Sequence, residues 1–422
     1  MKIETNIPKK NAVIISIIIA WSFYMFSYIA RVEPGVIVNN FISEFHITSS
    51  TVGFIVSITY IPYVILQVPA GIIVDKLGAR MVITLSGILC SLGTIVFGMA
   101  LNVFGLELGR FLIGVAAASA FICTSKIAGD MFDRSKYSLL MGISMFMGCF
   151  GGIFGTAPTA YLVSIIGWRH ATFVISCVGA LITALAFFFI KEKKIEKKTG
   201  ERKGEIFKGM KIIASNPKAW ILGLYGAITY LPLSTVAELW VVPFMELRYG
   251  LNTQTAAFAS IAIFIGFALG GIIAAYISEY INSYKKTIII FTVGLLITLY
   301  TALYNDSISF FITLVILFFS GIFAGANTLC FTLAYDVVPD QYAGTSTGFV
   351  NGLIMASGII FLPVLGKLLD FFRNGMVGKN GEPIYSVSVY RSAFLVVIAS
   401  TIVAIIAAFF INDIKKKRAS NS

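Results

Sequence analysis

Long apolar segments alternate with short polar segments along most of the chain. Twelve runs consist almost wholly of hydrophobic residues, and each approaches the roughly 20 residues that an α-helix needs to cross a bilayer. Several runs are longer, which indicates helices that tilt or extend into the headgroup region. The pattern predicts twelve transmembrane helices, over residues 12–38, 52–74, 81–101, 103–130, 138–165, 170–190, 219–243, 255–278, 286–304, 307–337, 346–369 and 390–411.

One polar segment is much longer than the others. Residues 191–218 are rich in Lys and Glu, and they separate six predicted spans within residues 1–190 from six within 219–422. The predicted fold is therefore an all-α membrane protein of two six-helix bundles. The segment between them is expected to be a basic linker that lies against an anionic membrane surface.

The composition is that of a membrane protein. Of the 422 residues, 58% are hydrophobic and only 12% are charged, whereas soluble proteins carry about 25% charged residues. The net charge of +12 comes from cations between apolar runs, which argues against a nucleic-acid partner. Most cations lie in the linker, in alternate loops and at the two ends of the chain, so the positive-inside rule predicts cytoplasmic termini.

The chain offers little of the chemistry that enzymes or metal sites use. Its only histidines, His46 and His170, fall in predicted outer loops without metal-ligand spacing. The five cysteines lie inside apolar runs and are expected to be packing residues. No nucleophile stands near a base, and no phosphate-binding glycine loop is present. We expect no enzymatic activity, metal or cofactor.

The loop between the second and third predicted spans has an unusual composition. It reads G-I-I-V-D-K-L-G-A-R and contains Gly71, Asp75, Lys76, Gly78 and Arg80. An ordinary cation-rich cytoplasmic turn would account for its glycines and cations. It would not account for the aspartate, because an acid at a helix end near the bilayer is rare and usually paired.

The spacing of this loop resembles the signature loop of the major facilitator superfamily. Arg110-x-x-x-Gly114 in the fourth span and the long central linker are similar to further features of that family. The glycine-rich fifth span only partly resembles the antiporter signature, because Ala157-Pro158 stands where that signature has Gly-Pro. The resemblance implies alternating access around a midplane site, with Gly71–Arg80 bridging spans two and eleven as a gate that holds the outward-open state.

Two further stretches resemble the phagosomal-transporter-like branch of that superfamily. They are R-V-E-P-G-V-I at residues 31–37 and the predicted outer loop at 380–394. This branch occurs in intracellular bacteria and imports amino acids or nucleosides. The resemblance implies a multi-pass protein of the bacterial inner membrane, with amino-acid transport as one expected activity.

Charged residues inside the apolar runs are the best pointers to a functional site. Glu33 and Arg110 lie at similar predicted depths on spans one and four, so we expect them to pair. In facilitator symporters such an acid and arginine often form the proton site, which makes these two residues the expected proton-coupling pair. The alternative is that the first span ends near Ala30, leaving Arg31 and Glu33 solvated in a loop.

The remaining polar residues suggest how a solute is held. The planar guanidinium of Arg31 suits a carboxylate or phosphate, which it can grip with two hydrogen bonds. Glu238, at a similar depth on span seven, faces either the cavity or the outer surface. The residues expected to bind the solute are Arg31, Tyr60, Tyr63, Glu238, Asn327 and Asn351.

These observations predict a secondary active transporter that acts as a monomer. Its solute is a small polar or anionic organic molecule: an amino acid, dipeptide, nucleoside or organic anion. Proton-coupled uptake is expected. The alternatives are a solute/proton antiporter and a non-transporting membrane receptor of the same fold.

Overall fold

The computed structural model describes residues 10–192, 202–335, 337, 342–378, 383–411 and 413. Twelve helical spans in this part of the chain are long and apolar enough to cross a membrane, as the sequence predicts. They are numbered span one to span twelve in chain order: Asn11–Val36, Ser49–Gln67, Ala79–Gly98, Val103–Met131, Leu139–Ile166, Trp168–Phe189, Pro217–Tyr249, Thr253–Tyr280, Tyr284–Tyr304, Phe310–Tyr335, Thr345–Phe372 and Val387–Phe410.

In the first half, residues 10–192, most spans consist of two helical pieces or are extended by a short helix. The α-helices are Lys10–Val32, Val38–Phe45, Ser49–Ser57, Tyr60–Leu77, Ala79–Gly98, Val103–Ala117, Ala120–Met131, Arg134–Phe154, Ala157–Ile166 and Trp168–Phe189, with a 3₁₀ turn at Glu33–Val36.

In the second half, residues 202–413, the first helix lies within the predicted linker. The α-helices are Arg202–Ala214, Pro217–Thr229, Val241–Tyr249, Thr253–Ala256, Phe258–Tyr280, Tyr284–Tyr304, Phe310–Ala324, Leu329–Tyr335, Ala343–Phe372 and Val387–Phe410. A π-helix covers Pro232–Trp240, and a 3₁₀ turn covers Gly325–Thr328.

Polar residues set the starts of many helices. The side-chain oxygens of Asn102, Asn252, Ser283, Ser309 and Ser386 each accept a hydrogen bond from the backbone N–H three residues later. This is the usual N-cap arrangement, which satisfies one of the donors that a helix leaves unpaired at its start. The polar interruptions in the hydrophobic pattern thus become helix boundaries.

Two prolines break the regular helix near the interface of the halves. Pro34 has no N–H and follows the end of the helix Lys10–Val32, while Pro232 opens the π-helix of span seven. These irregular segments are in direct contact. A Cβ on Gly35 would overlap the backbone oxygen of Glu238. Non-helical backbone at membrane depth is tolerated where protein buries it.

The two faces of the molecule differ. We call the face that carries Gly71–Arg80 the linker face, because the backbone N–H of Arg80 donates to Glu192 at 2.5 Å there. The Arg80 side chain also donates to the carbonyl of Phe187 at 2.8 Å. The opposite face, which contains the helix Val38–Phe45, is called the far face.

At the far face the halves are in close contact through spans two and eleven. A Cβ on Gly53 would overlap the carbonyl oxygen of Leu362, and one on Gly366 would overlap that of Ser49. Side chains at these positions would push the two backbones apart. Glycine therefore allows the close approach of the spans.

Hydrogen bonds also join the halves at the far face. The backbone N–H of Ser50 donates to the Asp370 carboxylate at 2.9 Å, and that of Ser49 donates to the Tyr385 hydroxyl at 2.9 Å. The Tyr385 hydroxyl in turn donates to Asp370 at 2.6 Å. The second half thus caps the start of span two, which makes far-face closure specific.

Toward the linker face the interface is looser. Asn351 donates to Gln67 across the halves at 3.2 Å. Beyond this bond, a Cβ on Gly71, Gly142 or Gly348 would meet no neighbouring atom within 4 Å. The described contacts between the halves are therefore closer at the far face than toward the linker face.

Candidate functional site

An ion pair joins the two halves near the middle of the interface. Arg31 Nη2 lies 3.0 Å from Glu238 Oε1, and the residues are only 6% and 1% exposed. Arg31 lies in the last turn of the helix Lys10–Val32, and Glu238 lies in the π-helix Pro232–Trp240. The alternatives of a solvated Arg31 and of a Glu238 at the outer surface are therefore wrong.

Three tyrosines enclose this pair. The guanidinium carbon of Arg31 lies 3.8 Å from the ring centre of Tyr28 and 5.5 Å from that of Tyr60. The Tyr60 hydroxyl donates to Glu238 Oε2, and the Tyr28 hydroxyl lies 3.4 Å from Oε1. Tyr230 lies 2.9 Å from the Tyr28 hydroxyl and accepts from Arg31 at 3.4 Å. We call these five residues the Arg31–Glu238 cluster.

The cluster leaves part of the arginine unused. Arg31 Nε is buried and has no hydrogen-bond partner among the described residues, and only Nη2 bonds Glu238. Guanidinium groups hold carboxylates best through two parallel bonds. The site can therefore accept a further anionic or polar group without removing another partner from Nε.

Arg110 lies beside the cluster. The sequence predicts that it pairs with Glu33, but in the structure both of its bonds go to backbone carbonyls. Its Nη1 donates to the carbonyl of Ala30 at 2.7 Å, and its Nη2 donates to that of Arg31 at 2.9 Å. Pro34 has no N–H, so the Ala30 carbonyl lacks its usual helical donor four residues on. The guanidinium takes the place of the missing donor, which is why the expected direct ion pair does not form.

Glu33 is fully buried within the first half. Its Oε1 accepts a hydrogen bond from Thr172 on span six, and its Oε2 has no partner among the described residues. Arg110 is near enough to affect Glu33 through its charge, although it donates elsewhere. The proton-coupling role of Glu33 and Arg110 stays a prediction.

The other expected solute-binding residues fall into two places. Tyr63 lies beside Gln67 and Asn351, on the linker-face side of the Arg31–Glu238 cluster. Asn327 is buried in the second half, where its amide nitrogen donates to the carbonyl of Gly226 at 2.6 Å and to Thr229 at 3.1 Å. Asn327 thus ties span ten to span seven, while Tyr63 and Asn351 lie between the halves toward the linker face.

The expected gate residues make contacts within the first half. The Asp75 carboxylate accepts from Lys126 of span four at 3.2 Å, and Lys126 also pairs with Asp130 at 3.0 Å. Lys76 is exposed. Gly78 has a positive φ of 84°, which glycine adopts readily and which ends the helix Tyr60–Leu77. The gating role of the loop stays a prediction.

Sequence reasoning missed several contributors. Tyr28 was not singled out, although it lies three residues before Arg31 and so shares its helix face. Tyr230 is one of the aromatic residues that the sequence offers as lining for the cavity, and it meets Arg31 from another span. Thr172 has no comparable signal, because it meets Glu33 from another span. Spacing along one helix could have identified Tyr28 only.

The far face carries an ion pair between Glu44, which lies outside the spans, and Arg169 at the start of span six. Glu44 accepts from Arg169 at 2.5 Å and from the Trp168 indole at 2.8 Å. Partial burial opposes its ionisation, but the bonds from Arg169 and Trp168 outweigh that effect and lower the pKa of Glu44. This carboxyl group therefore stays ionised in mildly acidic solution.

The described residues contain no apparent metal site. Within them, no three His, Cys, Asp or Glu side chains are grouped so that they could hold a metal ion.

The chain is similar to several bacterial transporters. The uncharacterized transporter YybO of Bacillus subtilis is 24% identical over 271 residues, which cover 59% of this chain and 62% of that protein. The probable sulfoacetate transporter SauU of Cupriavidus necator is 24% identical, and the alignment covers 82% of this chain and 85% of SauU. The hexuronate transporter of Bacillus subtilis is 22% identical, with 77% and 80% covered.

A solved structure and a family model are consistent with these relatives. A bacterial homologue of the human lysosomal transporter Spinster, in an inward-facing and unoccupied conformation, has a TM-score of 0.76 and 16% identity, covering 96% of this chain and 98% of that one. The model of the Major Facilitator Superfamily matches residues 13–363 and 264–422. The protein is thus a multi-pass membrane transporter of a small-molecule solute rather than an enzyme, and the chain belongs to the Major Facilitator Superfamily.

Proposed function

We propose that this protein takes up a small organic anion across the bacterial inner membrane by proton-coupled alternating access. The observation that carries the proposal is the half-used guanidinium of Arg31, buried between the two halves. A buried cation that retains a free donor favours a solute with a carboxylate or a similar group. Both bundles contribute to the cluster, so their relative motion would expose it to each side in turn.

An organic anion is favoured over the other expected solutes. The relatives include a probable sulfoacetate transporter and a hexuronate transporter. Both of those compounds carry a carboxylate that could bind Arg31. Amino acids and dipeptides share this group, while a nucleoside lacks it and would leave the guanidinium without a matching acceptor.

The proposed cycle uses the two faces as alternating gates. With both termini cytoplasmic, the linker face would be the inner face, and the structure would represent an inward-open state of a monomer. The loop Gly71–Arg80 would close the inner face when the halves part at the far face. Asp370 and Tyr385 would then lose their bonds to span two.

Uptake by purified protein in liposomes tests this function. We would compare radiolabelled D-glucuronate, sulfoacetate, L-glutamate, uridine and D-glucose under an inward proton gradient. We expect the organic acids to accumulate, and we expect Arg31→Gln to abolish their accumulation. An Arg169→Gln variant, altered at the far face and outside the Arg31–Glu238 cluster, serves as the control.

Three other results would contradict the proposal. Preferred uptake of uridine or D-glucose would exclude the anion class. Efflux of the acids driven by the same gradient would identify an antiporter. Saturable binding without any flux would identify a receptor.

A further inference from the structure

We propose that Glu238 competes with the solute for Arg31 and carries the coupled proton, so that one proton accompanies one monoanion. This inference rests on the proposed function, because it takes the solute anion to bind Arg31. It goes further in assigning the coupling to a carboxylate of the second half.

The geometry sets up the competition. Glu238 Oε1 lies 3.0 Å from Arg31 Nη2, in the place that an oxygen of a two-bond solute carboxylate would need. Nε, which is buried and unpartnered, would supply the second bond. A solute that engages both nitrogens therefore competes for Nη2 with its two acceptors, Glu238 and Tyr230.

The balance of charge in the site determines whether the displaced carboxylate of Glu238 takes up a proton. In the empty site Arg31 and Glu238 form one buried ion pair, and the buried Arg110 beside it is balanced by the buried carboxyl group of Glu33. Binding a monoanion to Arg31 while Glu238 stayed ionised would leave a surplus negative charge at membrane depth. Such a charge is strongly unfavourable, and a buried acid in that position takes up a proton instead. Protonated Glu238 with a bound monoanion restores the neutral balance of the empty site.

The groups that face Glu238 suit both protonation states. Arg31 and Tyr28 approach from span one, Tyr60 from span two, and Tyr230 lies one hydrogen bond further away. Tyrosine hydroxyls donate to a carboxylate and accept from a carboxylic acid. Tyr60 and Tyr28 can therefore bind Glu238 whether or not it carries a proton.

The other helices packed on this π-helix add no charged partner. Phe258–Tyr280, Phe310–Ala324 and Ala343–Phe372 all pack against it. In the part of the chain that the structure describes, none of them forms an ion pair or a side-chain hydrogen bond with Glu238. The turn Glu33–Val36 also packs against the π-helix, and Arg110 is near enough to attract Glu238 through its charge. Among the described residues, Arg31 forms the ion pair with Glu238.

Glu33 is the alternative carrier, but its position does not produce competition. Its carboxylate is bonded to Thr172 inside the first half, and it makes no ion pair with Arg31. Protonating Glu33 would therefore leave the Arg31–Glu238 pair intact. Only a proton on Glu238 both frees the guanidinium and removes an attraction between the halves.

The proton follows the solute through the cycle. When the halves part at the far face, a proton from the far-face solution binds Glu238 and releases Arg31. This stabilises the parted state and lets the solute anion enter. After the halves close at the far face, Glu238 loses the proton to the linker-face solution. The ionised carboxylate then reclaims Arg31 and expels the anion to the same side.

A transport experiment with three variants tests this assignment. Liposomes containing the protein and an internal pH dye are given radiolabelled D-glucuronate, a monoanion. For the wild type we expect equal proton and D-glucuronate influx, unaffected by an imposed potassium diffusion potential. Glu238→Gln should retain exchange of D-glucuronate but reach only equal concentrations on the two sides. Glu33→Gln and the control Glu44→Gln should still accumulate it.

Two results in this assay would overturn the proposal. One is pH-driven accumulation by Glu238→Gln. The other is a wild-type influx that carries net charge or differs from one proton for each D-glucuronate. Because this second measurement uses the wild type, it decides the matter even when Glu238→Gln does not fold.

A distance measurement without solute separates this inference from the proposed function. Spin labels at the exposed far-face positions Asn40 and Ser307 report separation of the halves, in a background where the exposed Cys177 is serine. Acidification should lengthen the distance in the wild type and in Glu44→Gln, while Glu238→Gln should show the long distance at neutral pH.

The role of Glu238 would be refuted if the spin-label distance in the wild type did not change with pH. It would also be refuted if the distance in Glu238→Gln changed with pH as it does in the wild type. If wild-type protein does not transport D-glucuronate, the proposed solute class fails. The spin-label distances still decide whether Glu238 controls the interface.

Discussion

At the scale of single residues, the structure explains why charges can lie at membrane depth. An intramembrane ion needs a partner. Arg31 and Glu238 are partners of each other across the interface, at a distance of 3.0 Å. Arg110 is accommodated differently, through two backbone carbonyls that the proline-broken helix leaves free. The two buried guanidinium groups are therefore stabilised by different acceptors.

Arg31→Lys tests the geometry of solute binding. Lysine keeps the charge but loses the planar two-bond fork. Losing one charge-assisted hydrogen bond, about 1.5–3 kcal/mol, should raise the KM for D-glucuronate roughly 10- to 100-fold. An unchanged uptake curve would indicate that Arg31 serves only as the partner of Glu238. Arg169→Lys, at the far face, is the control.

Arg110→Gln tests the capping of span one. Removing the guanidinium should leave the buried carbonyls of Ala30 and Arg31 without full hydrogen bonding, at a cost of about 1–3 kcal/mol for each group. The thermal unfolding temperature in detergent should fall. Adding Pro34→Ala returns a backbone N–H near Ala30 and should recover part of the loss. A variant as stable as the wild type would rule out the capping role.

At the scale of elements, glycines determine which helices can meet. Spans two and eleven approach closely at the far face because Gly53 and Gly366 leave room for the opposing backbone. The π-helix of span seven places Glu238 at the interface, as π-turns often do at functional sites. Irregular segments and glycine contacts together build the closed far face.

Gly53→Val should prevent far-face closure. Its side chain would collide with the Leu362 carbonyl, which is backbone and cannot rotate away. We expect a long distance between spin labels at Asn40 and Ser307, and loss of D-glucuronate uptake. Gly142→Ala, which meets no atom within 4 Å, is the matched control. A wild-type distance in Gly53→Val would show that the contact is not essential for closure.

At the scale of the whole molecule, the two faces are stabilised by different sets of contacts. The far face is closed by contacts between the halves, while the described bonds of Arg80 at the linker face stay within the first half. The two faces thus differ in how strongly they join the halves. Motion between the states exchanges one set of contacts for another.

Asp75→Asn should slow transport while leaving the fold intact. Asp75 lies in the last turn of the helix Tyr60–Leu77. It is placed to stabilise the state closed at the linker face, where it can meet a helix start or a cation. We expect lower D-glucuronate turnover at an unchanged unfolding temperature. Asp130→Asn is the control, because Asp130 pairs with the same Lys126. Wild-type turnover in Asp75→Asn, or equal slowing in both variants, would remove the latch role.

The sequence by itself determined the twelve spans, the family and most of the buried charges. Each span is a property of a local stretch, since the bilayer requires about 20 apolar residues whatever the neighbours are. The loop Gly71–Arg80 is likewise a local pattern. Arg31, Glu33, Arg110 and Glu238 stood out because charge inside an apolar run is visible without tertiary information.

Only the tertiary structure decided which of these charges meet. Glu33 and Arg110 have matching depths, yet Arg110 donates to backbone carbonyls and Glu33 accepts from Thr172. Arg31 instead meets Glu238, which lies 207 residues away in the chain. Depth along a helix can be counted from the sequence, but partners depend on the direction of each side chain and on the docking of the two halves. Pairing is therefore a property of the assembled fold.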